Sequence, residues 1–253
     1  MILLLRILPF LIALCEAAVF TEQLRHPLSY PWLVLIGVCA LPLASLTISW
    51  GRVRFLDMLE KMTPTFVLIA CLAFALLLAE GRGPQAAIVI IASLATLASL
   101  ELLFLLAFNP ARYPVHGLSR VNIAYVPIAI WYAASTSSGL LTFLQMSRII
   151  HVLILVALGA VLFRTTGHPQ SSRRENTVWS FVGAIVGANV GMLGLLLPLS
   201  MPMQGIVAVV FLCAVLRARR YKYDPKPPKR QAWTEAVVAI ATFTILLITA
   251  KWL

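Results

Sequence analysis

Four ionisable side chains, Glu16, Glu101, Arg148 and His151, fall inside long apolar stretches of this sequence. Ionisable groups among apolar neighbours are expensive, and within a membrane they face a bundle interior or a water-filled cavity. Arg148 and His151 stand three residues apart, on one face of a helix. A guanidinium stays charged in proteins, so an arginine at depth requires an anion. Glu16, Glu80, or the phosphate or carboxylate of a ligand would serve. His151 can relay a proton or make a hydrogen bond in either sense, and Ser135, Thr136, Ser137 and Ser138 add hydroxyls nearby. These types and spacings predict an outward-opening polar cavity for a small anionic or lipid-linked ligand. Arg148 is its anion anchor, His151 stands beside it, and Glu16 or Glu101 supplies counter-charge. The plainer alternative is a structural ion pair, with Arg148 reaching outward to the headgroups.

Other chemistries lack their residues. The four cysteines, Cys15, Cys39, Cys71 and Cys213, stand singly in apolar segments, so neither a metal site nor a disulfide framework is expected. There is no phosphate-binding glycine loop, no HExxH and no GxSxG. Ser138 and His151 fall in one hairpin, which departs from the separate-span serine and histidine of intramembrane serine proteases. No cofactor is expected. A catalytic role would have to be a metal-independent group transfer on a lipid-linked substrate.

The elements that must position these side chains follow from composition. Of all residues 61% are hydrophobic and 11% charged, and mean hydropathy is +0.94. Those values belong to a polytopic transmembrane helical bundle, all-α, with the whole chain 1–253 as one integral-membrane domain and no soluble domain. A bilayer core needs about 20 apolar residues per helix. Nine spans are predicted: Ile2 to Phe20, Tyr30 to Trp50, Pro64 to Glu80, Ala86 to Phe108, Val121 to Ser137, Leu141 to Phe163, Trp179 to Leu199, Gln204 to Leu216, and Trp233 to Leu253. The segment from Leu3 to Ala18 also fits a signal-peptide core, whose cleavage would leave eight spans, although Arg6 lies within the apolar run and not before it.

Basic residues in short loops are retained on the cytoplasmic side. With the amino terminus inside, 16 of the 20 basic residues fall on inner joints, leaving Arg25, Arg82, Arg148 and Lys251 outside. The carboxyl terminus is then external. Short loops and compact size fit a bacterial inner membrane. The net charge of +11 is therefore topological, and no nucleic-acid partner is expected. The basic joint 217–231 is expected to meet anionic lipid.

Two packing features complete the reading. Residues 51–62 place Phe55, Leu56, Met58, Leu59 and Met62 on one arc, which predicts a short cytoplasmic amphipathic helix. Gly183, Gly187 and Gly191 recur every four residues and predict a flat face for close helix packing, within the chain or with a second subunit. Asn189 would add a hydrogen bond across that face. A permease or carrier fits these features best. A non-catalytic scaffold or assembly subunit is the alternative, and a membrane enzyme comes third.

Overall fold

The computed structural model describes residues 2–26, 30–167, 171–197, 199–221 and 223, together with 233–234, 236–238, 240–242, 244 and 248. Among the described residues, eight continuous helices run in chain order: α1 (Ile2–Arg25), α2 (Tyr30–Ser49), α3 (Phe55–Ala75), α4 (Arg82–Phe108), α5 (Gly117–Phe143), α6 (Arg148–Thr165), α7 (Arg173–Leu196) and α8 (Met201–Tyr221). Among the described residues there is no strand. Seven of the eight, all but α5, are long and apolar enough to cross a membrane. Large apolar side chains such as Leu14, Trp32, Leu94, Phe181 and Leu196 lie exposed on their outer faces, as lipid contact requires. This is a multi-spanning helical membrane protein.

Local chemistry sets the boundaries. Gly51 and Gly81 adopt positive φ, 68° after α2 and 85° before α4, a conformation glycine enters without steric cost. Ser172 caps α7 by accepting from the Glu175 amide at 3.2 Å, the first half of a capping box.

Several expected boundaries are corrected. Nine spans were expected, and among the described residues seven helices meet the length and apolarity required. At 27 residues α5 is long enough but carries Ser119, Arg120, Asn122 and the 135–138 hydroxyls. The ninth segment, Trp233 to Leu253, lies largely outside the described residues. The joint expected between Ser137 and Leu141 is helical, because hydroxyls can bond back to their own helix: Ser137 to the Ala134 carbonyl at 3.1 Å, and Thr142 to that of Ser138 at 3.0 Å. The break comes instead at 144–147, where Gln145 takes a left-handed φ of 50° and the Met146 amide returns to Leu140. Residues 51–62 form no separate amphipathic helix. Positions 51–54 turn, and the helix beginning at Phe55 continues through Ala75 with Met58 and Met62 buried. Helix α8 likewise runs on through Tyr221, so the first residues of the expected joint 217–231 are helical, and 224–231 lie outside the described residues.

The chain divides into two compact units, Met1–Ala129 and Ile130–Leu253, with the boundary inside α5. In the first, α1 packs on α2 and α4, and α3 packs on α2 and α4. A polar tie joins α3, α4 and the start of α5. Thr65 shares a 3.0 Å hydrogen bond with Ser99, and the Asn122 amide donates to the Lys61 carbonyl at 2.7 Å. Such interhelical bonds are worth about 1 kcal/mol each in a membrane. In the second unit, α7 packs along α6 and against α8. A Cβ built on Gly183 would collide with the Gly159 carbonyl, and one on Gly187 with that of Leu155. The glycine face of α7 is thus in backbone contact with α6.

Candidate functional site

Within the carboxy-terminal unit, polar groups converge where α6 begins, α7 ends and α8 begins. Arg148 is the first residue of α6 and His151 lies in its first turn. His151 is buried, at 1% exposure, whereas Arg148, at the end of the helix, is exposed. Neither ring nitrogen of His151 makes a well-formed hydrogen bond, and the only backbone group acting on the ring among the described residues is that of Ser137.

Gln204 comes from the first turn of α8. Its amide nitrogen donates to the Gly194 carbonyl at 3.0 Å, one of the last carbonyls of α7 and so without an intrahelical partner. That bond fixes the side chain and leaves its Oε1 buried and unpaired. Gly194 lets these groups approach α7 closely. A Cβ placed there would stand 3.0 Å from Gln204 Oε1 and 3.4 Å from His151 Nε2. Both polar atoms therefore face one small volume that any larger residue would fill.

Ser135, on α5, adds its buried Oγ, likewise without a hydrogen-bond partner. It lies against Gly205, where an added Cβ would also meet the Trp131 ring at 2.5 Å. The Trp131 indole nitrogen donates to the Pro202 carbonyl at 3.2 Å and so ties α5 to the start of α8. A neutral imidazole offers one donor and one acceptor, a hydroxyl offers both, and the glutamine oxygen accepts. This arrangement suits a small molecule carrying donors and acceptors together.

No family model, no curated protein and no solved structure matches this chain. What can be said of function rests on the geometry.

In the amino-terminal unit, Glu16 is buried at 1% exposure and accepts a hydrogen bond from Thr96 on α4 at its Oε2, while its Oε1 has no partner. It was expected one turn from the outer end of the first span. Helix α1 continues past Phe20 through Arg25, so Glu16 lies about 14 Å from that end, in the middle of the helix. Glu101 is on α4, half-buried, with Oε2 unpaired. Glu16 and Glu101 thus belong to one unit and Arg148 and His151 to the other.

Two sequence-derived roles change. Arg148 was placed about 10 Å inside a span beginning at Leu141, whereas the break at 144–147 puts it at a helix start, where it needs no buried anion. Asn189 was assigned to bridge helices. It is exposed, and its amide donates to Ile185 of its own helix at 2.8 Å.

Sequence reasoning missed Gln204, Thr96 and Arg219. Gln204 was read as a span boundary, and a threonine within an apolar run carries little signal. Arg219 was counted with the basic joint, yet it is among the most buried large side chains.

Proposed function

We propose that this protein is a membrane carrier for a small polar solute bearing an anionic group, with His151, Gln204 and Ser135 lining the place the solute occupies. The observation that carries this reading is the set of buried polar atoms without a well-formed hydrogen bond: the nitrogens of His151 and Oε1 of Gln204 beside Gly194, and Ser135 Oγ beside Gly205. In a membrane protein each such group costs on the order of 1–3 kcal/mol unless something partners it. A solute with donors and acceptors pairs them when bound, and water does so after release. Arg148, exposed at the start of α6, adds positive charge that attracts an anionic solute toward this end of the helix.

The same reading places the amino terminus in the cytoplasm of a bacterial cell, the joint at 144–147 outside, and α5 across the inner membrane. Support comes from the distribution of Lys and Arg among the joints. The inner basic segments then lie against anionic lipid.

The scaffold reading draws on the Gly183–Gly191 face, and α6 already occupies that face. A catalytic reading draws less still, because no hydroxyl is hydrogen-bonded to the His151 ring.

Native mass spectrometry of the detergent-solubilised protein tests the proposal, with wild type beside Arg148→Leu and His151→Phe. The expected result is a small carboxylated or phosphorylated molecule retained by wild type and lost from both variants. Identical spectra for all three, holding only bulk lipid or one protein partner, would overturn the carrier in favour of an assembly subunit.

A further inference from the structure

Helix α1 buries one stripe, Ala13, Glu16, Phe20 and Gln23, in the amino-terminal unit. Two members of that stripe are polar and incompletely paired. Glu16 receives a single hydroxyl donor, from Thr96, and its second oxygen has none. Gln23 stands two helical turns further on, about 10 Å along the same face, with both amide atoms buried and unpaired. The helices packed on α1 are α2 and α4. Their charged residues and those of α1 itself, Arg6, Glu22, Arg25, His26, Arg82 and Glu101, provide no ion pair to Glu16. Of these, His26 and Glu22 pair with each other, at 3.1 Å.

A carboxylate removed from water without a counter-charge is among the costliest arrangements a membrane protein can hold. A single positive charge removes that cost. The surroundings limit which cation can supply it. Among the described residues no three His, Cys, Asp or Glu side chains gather as a divalent metal would demand, and Glu16 brings one charge only. We propose that Glu16 and Thr96 form a binding site for a monovalent cation, H⁺ or Na⁺, held at the carboxyl group, with Gln23 as a polar stepping point toward the carboxyl end of α1. Thr96 holds the carboxyl by one oxygen and leaves the other for the cation. The proposal is independent of the solute site around His151.

Dicyclohexylcarbodiimide, which enters apolar regions and couples to protonated carboxyl groups, is the probe. Purified protein in detergent is treated in choline chloride or in NaCl, and the adduct is located by peptide mapping. Label on the peptide containing Glu16 is expected, lost in Glu16→Gln and kept in Glu101→Gln. Labelling that NaCl leaves unchanged identifies the proton, and labelling that NaCl suppresses identifies Na⁺. Absence of label at Glu16 in the wild-type protein overturns the proposal, and that result does not depend on whether the variants fold.

Discussion

The guanidinium of Arg219 donates to the main-chain carbonyl of Phe163, one of the groups that the end of α6 leaves without an intrahelical partner. Its other terminal nitrogen donates to the Asn176 side chain on α7, and its carbon lies 5.4 Å from the Trp179 ring centroid. One side chain of α8 thus fastens the end of α6 to the start of α7. Gly167 is part of the arrangement, since a Cβ there would stand 2.5 Å from Asn176 Oδ1 and 2.9 Å from the guanidinium.

Replacing Arg219 with Met should destabilise the protein by about 2–4 kcal/mol, because charged hydrogen bonds are lost and a buried carbonyl is left unpaired. Arg174→Met, at an exposed position of α7, should change little. Lysine at 219 should fail to restore stability, since an ammonium lacks the fork that reaches two acceptors and a ring at once. Thermal unfolding in detergent decides it: equal midpoints for the 219 and 174 variants would remove Arg219 from this role.

The contact between α6 and α7 depends on absent side chains. Alanine at Gly183 or Gly187 should cost about 1–3 kcal/mol, because the added carbon meets a rigid backbone carbonyl and not a movable side chain. Gly83→Ala is the control, as nothing lies within 4 Å of the position its Cβ would take. Unchanged melting of Gly183→Ala relative to that control would contradict the close approach.

Orientation can be read by cysteine labelling after the four native cysteines are replaced. Arg148→Cys should react with an impermeant maleimide in intact cells, and Arg112→Cys and Arg174→Cys only after permeabilisation. The reverse pattern would invert the proposed topology. Labelling of positions 112 and 148 from the same side would mean that α5 does not cross the membrane.

The two ends of α5 explain where sequence reading succeeded and failed. That helix carries enough hydroxyls and amides to resemble a joint, and composition places a break between Ser137 and Leu141. Hydrogen bonding back to the preceding turn keeps such residues helical, and only the left-handed residue at Gln145 stops the chain. Once the break moved by several residues, Arg148 moved from the middle of a span to its edge. His151, three positions on, remains buried, because it packs against Gly194 of α7. Glu16 was recognisable as a buried carboxyl from its apolar neighbours alone, while Thr96, its only hydrogen-bond donor here, was not.

What the amino-acid order determined unaided was the membrane character of the chain, the approximate positions of most spans, and the glycine spacing suited to close packing. Each is a local property, since lipid requires a continuous apolar run whose backbone is satisfied within itself. Tertiary structure alone decided which polar groups are paired. Arg217, Arg219 and Arg220 look alike in sequence, yet Arg219 is the one bonded to Phe163 and Asn176. Gln204 and His151, more than fifty positions apart in sequence, come together at Gly194. Pairing depends on distance and direction across neighbouring helices, and small changes in helix start and phase, which composition hardly registers, set both.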